Sequence, residues 1–477
     1  MRSAPDLTST LNGAFVMQRR FLILLTAIGV AVVAQMVPAV ATATPYTVKA
    51  LGLVSAPSPF PAGCPGAAFD STMIAGQELE TSITVNPANP RNLVAAWIQD
   101  EGPRSSRTDL IASSFNGGKT WTPSTIPGLT KCEGGTADGG ADPWVGAGVD
   151  GAIYFTGLAP HFAGDTPLSA IVTSHSGNGG LTWHSPTALT APADGNETPM
   201  ITGSPTRPGR AYEVWAEFAT GVIKFSTTDT HGARWSPPVV ADPSIPNAVD
   251  LAPRLLVLPN GTLVIIFARG EAEAGLGKLY ATHSADEGRT WTPPVQFAAN
   301  PIQTYFDDMG DELPQPQFPN AAVAPNGTIY ATVEADDSAS SGVVFVSRST
   351  DGGRSWSAVT SPGIGAYAFE PTIAVDRHGT IGMTWYDLRN DRPGDAGLTA
   401  DAWFASSRDG GTSWRETHVA GPTDLRTGAL ARQNRVGEYQ GLVAAHGDSF
   451  AAILTLAAPF AKDGPTDIFY ADIRPGR

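Results

Sequence analysis

From about residue 78 onward, apolar residues fall in short runs, many alternating with polar positions, and the runs are separated by Gly, Pro, Asn and Asp. Pro371-Thr-Ile-Ala-Val-Asp-Arg-His-Gly-Thr-Ile-Gly-Met-Thr-Trp385 shows the pattern: one alternating run, a turn, then a second run. Alternation of this period predicts β-strands with one face turned to a core. Asn260-Gly261 and Asn326-Gly327 predict tight hairpins, because both residues tolerate the positive φ that such turns require. Outside the N-terminus no segment has a helical period.

The runs recur. Ser114-Phe-Asn-Gly-Gly-Lys-Thr-Trp121 returns as Ser176–Trp183, Ser284–Trp291, Ser349–Trp356 and Ser407–Trp414, with a longer variant at Thr227–Trp235, so that successive Trp residues lie 52 to 65 positions apart. Each interval has room for about four strands, and an array of such units predicts an all-β chain folded as a single β-propeller. The box predicts the hairpin between the third and fourth strands of a unit. Its Asp, or Asn116 and Asn178 in the first two copies, would accept backbone N–H groups, its glycines would permit the turn, and its Trp would pack between sheets.

Innermost strands are expected at Thr81–Val85, Pro143–Gly146, Thr198–Ile201, Pro253–Leu256, Pro319–Val323, Pro371–Val375 and Gly441–Ala444. That makes seven four-stranded blades, with six as the alternative. The last unit lacks a box and a fourth strand, which Tyr46–Val54 could supply. A strand from the N-terminal segment 44–74 would then close the ring, with residues 75–477 forming its body, and remove the exposed edges that invite aggregation.

Arg19-Arg20, the apolar stretch Phe21–Val33 and Ala41-Thr-Ala43 read as a secretory signal within residues 1–43, with Met17 as a candidate start and an uncleaved anchor as the alternative. Export fits the cysteine count: Cys64 and Cys132 stand alone and read as one disulfide. A net charge of −15 argues against nucleic acid and anionic membrane surfaces as partners. Only 16% of residues are charged, and 52 Gly with 40 Pro suit a turn-rich β chain. A monomer with no membrane contact beyond the leader is the expectation.

Carboxylates recur where inner strands begin: Glu80, Asp142, Glu197, Asp250, Glu370 and Glu438, the last followed by Tyr439. Further ones stand at strand exits, among them Asp100-Glu101 and Asp387. They read either as a focused negative funnel or as a solvated rim. No metal ligand set has recognisable spacing and no cofactor is expected. Asp307-Asp308-Met-Gly-Asp311-Glu312 reads as a solvated insertion, with a calcium loop as the alternative.

The boxes, with Ala96-Trp97, Glu101-Gly-Pro-Arg104 and Asp109–Trp121, resemble the sialidase (neuraminidase) superfamily of BNR or Asp-box repeat proteins over roughly residues 75–474. The resemblance implies a retaining exo-glycosidase acting on extracellular glycans: three arginines hold the sugar carboxylate, a Tyr activated by Glu is the nucleophile and an Asp is the acid/base. The residues that match are Arg254, Arg389 and Arg435 for binding, Tyr439 with Glu438 or Glu370 for attack, and Asp142 or Asp100 as acid. Glu80, Glu197 and Asp387 complete the substrate-binding set. The chain departs from the family where blade one opens: Glu80-Thr81-Ser82-Ile83 stands in place of Arg-Ile-Pro. Two alternatives stay open, a non-catalytic propeller that binds glycan or protein and another carbohydrate-active enzyme using paired carboxylates.

Overall fold

The computed structural model describes residues 45–60, 64, 73–102, 106–164, 166–193, 195–242, 248–271, 275–299, 318–337, 340–362, 367–392, 394, 396–428 and 436–476. They form seven four-stranded antiparallel sheets. The inner strands are Glu78–Val85, Ala141–Ala147, Asn196–Gly203, Ala248–Val257, Asn320–Val323, Ala368–Val375 and Gly441–Ala444. Each packs against the next and the seventh against the first, so the sheets are blades of a closed propeller. Six blades are consecutive in sequence. In the seventh, Tyr46–Leu53 pairs antiparallel with Asp467–Pro475 as the outermost strand. The seven-blade count and the N-terminal closing strand are both as the sequence predicts.

Blade faces are covered on both sides, which is why several strands are buried along their whole length. Leu93–Gln99, Thr108–Ser114, Ile381–Asp387 and Phe450–Leu456 have no exposed position. Between blades six and seven, Phe369, Tyr386 and Phe404 pack with Tyr46, Phe450 and Phe469. Burying a ring of this size contributes about 2–3 kcal/mol relative to leaving it in water. Among the described residues no helix is long and apolar enough to cross a membrane.

The Trp boxes occupy the predicted hairpins. In blade one, Ser114 Oγ accepts the N–H of Gly118 at 2.8 Å, and Asn116 Oδ1 accepts those of Lys119 and Thr120 at 3.0 Å each. The indoles then reach the preceding blade: Trp121 packs on Tyr470, Trp291 on Phe225 and Trp356 on Phe297. Glycine is required where the turn abuts that blade. Gly288 has φ +86°, and a Cβ there would lie 2.2 Å from the Phe225 ring. Cys64 and Cys132 are bonded, tying the N-terminal segment to the connection between blades one and two.

Candidate functional site

The inner strands are bulged at one repeated position. Pairing slips between Leu79 and Ser82, Ala141 and Trp144, Glu197 and Met200, Leu251 and Arg254, and Phe369 and Thr372. Inside each slip one residue takes the left-handed conformation: Glu80 (φ 56°), Asp142 (52°), Thr198 (49°), Ala252 (52°) and Glu370 (50°). None is glycine, so each costs on the order of 1 kcal/mol or more, a strain that surrounding structure must hold. Four of the five precede a proline, which disfavours the right-handed helical region at the residue before it.

Counting back from the first hairpin pair of every blade places Phe318 and Tyr439 at the same position in blades five and seven. The repeated position therefore reads Glu80, Asp142, Thr198, Ala252, Phe318, Glu370, Tyr439 around the ring. One arc, blades six, seven, one and two, carries three carboxyls and a phenol. The other arc is small, apolar or neutral. Two residues further along each strand, blades two and four supply Trp144 and Arg254.

These side chains meet across the axis. Trp144 lies 5.6 Å from Tyr439 and Phe318 lies 6.1 Å from it, ring centre to ring centre. The Arg254 guanidinium stands 4.6 Å over Trp144 and 5.8 Å from both Phe318 and Tyr439. The contributing blades are two, four, five and seven, so only the central channel can bring all four side chains together. Arg254 is 3% exposed, and its one hydrogen bond among the described residues runs from Nη1 to the Pro253 carbonyl.

The carboxyls are desolvated. Glu80, Asp109 and Glu370 are buried, and both oxygens of Asp109 and of Glu370 accept no hydrogen bond from the described residues. Burial, reinforced by neighbouring acids, pushes all three well above the usual carboxylate range: Asp142 foremost for Glu80 and Asp109, Glu438 for Glu370. Glu101 is pushed up to about 8 by burial and then by Glu438 and Asp142. Asp142 rises to about 6, burial outweighing its hydrogen bond from the Thr198 N–H at 2.9 Å and the charge of Arg254. Burial also draws Arg254 down to about 10 and pushes the Tyr439 phenol well above its ordinary value.

Glu101 and Asp142 keep partial exposure. They line a cleft between blades one and two with about 310 Å³ of space, together with Glu197 and an apolar wall that includes Leu158, Pro160 and Phe162. Cleft and channel thus share Asp142.

Other expected site residues have different roles. Arg389 grips Asp387 with Nε and Nη2 (2.8 and 2.6 Å), reaches Glu416 with Nη1 (2.8 Å) and lies 4.0 Å over Trp403. Asp387 also accepts the Trp385 indole N–H. This pair, which the sequence reading gave to substrate binding, braces blade six. Asp100 accepts bonds from Ser58 Oγ, the Gly76 N–H, Gln99 and Arg107, all between 2.7 and 2.9 Å. These bonds of the candidate acid hold the N-terminal segment against blade one. Arg435 and the run Asp307–Glu312 lie outside the described residues. Asp109, Trp144 and Phe318 were not assigned from sequence, and Glu101 was named there only among the strand-exit carboxylates. Asp109 sits in an apolar strand opposite Gly140 and Gly157, and a charge facing two glycines was the available signal.

Residues 222–456 match the BNR repeat-like domain. The chain folds as a seven-bladed β-propeller, and over those residues it is similar to the BNR repeat-like domain, in keeping with the repeat seen in the sequence. It is similar to a Dyadobacter fermentans protein of unknown function, with 13% identity over 91% of this chain and 100% of that one at a TM-score of 0.51. It is also similar to an ulvan lyase, with 12% identity over 83% and 94% of the two chains and a TM-score of 0.51. A Hadza microbial sialidase superimposes at 14% identity over 79% and 75%, with a TM-score of 0.45. The first two likenesses speak to fold alone. No curated protein sequence matches the chain.

Proposed function

We propose that this propeller is an exported carbohydrate-active enzyme that cleaves a neutral glycan by acid–base chemistry between Glu101 and Asp142. The carrying observation is that two carboxyls face one open cleft, both raised by burial, with Asp142 alone relieved by the Thr198 N–H and the charge of Arg254. Near neutral pH Glu101 holds its proton and Asp142 has lost it, which is the division of labour that glycosidic hydrolysis needs. Glu101 protonates the leaving oxygen while Asp142 attacks or activates water, and the bond breaks with water supplying the new hydroxyl. The apolar wall suits the C–H face of a sugar ring, and the acids suit its hydroxyls. Arg254 is buried over Trp144 with Asp142 in its field, so it offers an anionic sugar little. The signal-like leader and the disulfide support export.

The sialidase reading is the second one. Its support is Tyr439, with Arg254 at 5.8 Å and the Glu80 carboxyl among the charges that act on its phenol. Against it stand the engagement of Arg389 with Asp387 and Glu416 and the raised phenol of Tyr439. Hydrolysis of fluorogenic neutral glycosides and a fluorogenic sialoside separates the two. The proposal expects turnover of a neutral glycoside that falls roughly 10²–10⁴-fold in Glu101→Gln and Asp142→Asn and survives Tyr439→Phe. Sialoside turnover lost in Tyr439→Phe favours the second reading. Binding of glycan without turnover of any member makes the propeller a recognition module.

A further inference from the structure

The hairpin of the second and third strands of blade two reaches past its own inner strand. In blades one, three, four and six the last residue of the second strand pairs with the first residue of the inner strand: Gln99 with Glu78, Glu217 with Asn196, Glu271 with Ala248 and Asp387 with Ala368. In blade two the inner strand starts at Ala141, opposite Leu158, and the second strand runs on to Ala163. The third strand, Thr166–Ser176, stays paired with it to the tip. The overhang therefore rises from beside Asp142 past the mouth of the cleft. Side chains two apart on a strand share a face, and Leu158, Pro160 and Phe162 all line the cleft. The register sets Ser169 opposite Pro160 and Pro167 opposite Phe162, and both of these line it too. One face of the hairpin is thus a continuous wall without a charged side chain among these five. From Leu158 to Phe162 it extends about 13 Å, four strand steps, which is longer than one sugar ring.

The wall is clamped. Asp138 donates its N–H to the Pro160 carbonyl at 2.8 Å, and its Oδ2 accepts the Phe162 N–H at 2.9 Å. Its Oδ1 holds Lys131, which adjoins Cys132 of the disulfide to Cys64. Asp138 itself is buried. Facing the wall, Glu101, Asp142 and Glu197 supply the polar side of the cleft.

We infer that this overhang is a binding platform that makes the cleft select a neutral oligosaccharide. Phe162 packs on a sugar unit outward of the bond at Glu101 and Asp142, and Asp138 is the positioning residue that holds the platform. This rests on the reading of the cleft as a glycan site. A single sugar beside Asp142 leaves the outer half of the wall in water. A second unit covers Pro160, Phe162 and Pro167, and that burial of apolar surface favours the longer chain. A charged sugar finds no partner on the wall. Because the clamp fixes the hairpin beforehand, binding does not bear the cost of ordering it.

The test is isothermal titration calorimetry on the full chain carrying Glu101→Gln, which keeps the probe intact. The probes are xylo-, manno-, gluco- and arabino-oligosaccharides from monomer to hexamer. In at least one series affinity should rise about tenfold or more from monomer to trimer. Adding Phe162→Ala should remove about tenfold for the trimer and change the monomer by less than about twofold. Phe162→Tyr, which keeps a flat ring, should retain the trimer. Should Phe162→Ala fail to fold, Pro167→Ala replaces it, since Pro167 is exposed on the same face. Asp138→Ala should weaken the trimer, and Asp138→Asn, which keeps an oxygen for the Phe162 N–H, should recover part of it. Binding that is independent of length in every series, binding of no probe, or a trimer unmoved by Phe162→Ala overturns the platform. A trimer unmoved by Asp138→Ala overturns the clamp. Length-dependent binding without turnover by the wild-type chain keeps the platform and removes the acid–base reading. Turnover of an aryl glycoside with length-independent binding does the reverse. On an oligosaccharide that is cleaved, Phe162→Ala in the otherwise wild-type chain should raise KM about tenfold and leave kcat within about twofold.

Discussion

At the level of single residues, the site is defined by carboxyls in places where carboxylates are costly. A buried acid without a partner loses its hydration and has only protonation as a remedy. Glu101 and Asp142 differ because Asp142 receives a backbone N–H and the field of Arg254, whereas Glu101 receives only further acids. A rate that needs Asp142 ionised and Glu101 protonated rises as pH passes about 6 and falls as it passes about 8. The kcat/KM profile on a neutral glycoside is therefore expected to be bell-shaped. Arg254→Met should move its acid limb upward, since Asp142 loses the cation that helps it ionise. A profile flat from pH 5 to 9 would remove this pair from the mechanism. The residue types at the axial position were readable in the sequence, but their protonation was not, because it depends on burial set by other blades.

At the level of elements, the Trp box and the inner-strand bulge repeat with different purposes. The box serves packing, and its Gly288 can be tested against Gly261 of the Asn260-Gly261 hairpin, which lies outside any box. Gly288 and Gly261 both have φ near +85°, yet a Cβ on Gly288 meets the Phe225 ring at 2.2 Å while one on Gly261 meets nothing within 4 Å. Gly261→Ala is expected to cost about 1 kcal/mol for the backbone alone. Gly288→Ala should cost about 2 kcal/mol more, because a core ring must move. Denaturant unfolding of the two variants measures the difference, and equal losses would deny the box its role in blade-to-blade packing. The bulge serves the site. It was invisible in the sequence as a bulge, although the dipeptides Asp142-Pro143, Thr198-Pro199, Ala252-Pro253 and Glu370-Pro371 marked its place. Asp387 and Arg389 looked like site residues because they also lie at a strand exit, but the strand carries them into a brace with Glu416.

For the whole molecule, closure and charge together set the conditions of stability. Asp142, Glu133 and Glu101 hold their protons to about 6, 7 and 8 in the folded chain, against about 4 when unfolded. Their contribution is complete below pH 4 and is lost as pH rises through that window, since the folded state then binds more protons than the unfolded one. The box aspartates Asp351 and Asp409 behave oppositely. Hydrogen bonds hold them at about 2, so their contribution exists above pH 4 and is lost as pH falls toward 2. Scanning calorimetry should find Tm highest near pH 4–5 and declining toward pH 8. A Tm that climbs from pH 5 to 8 would contradict the desolvated channel.

The sequence by itself determined the blades, because a periodic apolar pattern and a turn box with an indole are local instructions, repeated until the only way to cover every sheet face is a ring. It also marked the seam, since a last unit short of one strand and a spare strand at Tyr46–Val54 can satisfy each other. Tertiary structure alone decided which acids share a space. Asp109, Asp142 and Tyr439 belong to three different blades, and only the ring brings them within reach of one field. Electrostatic coupling depends on distance and on exclusion of water, neither of which a one-dimensional pattern records.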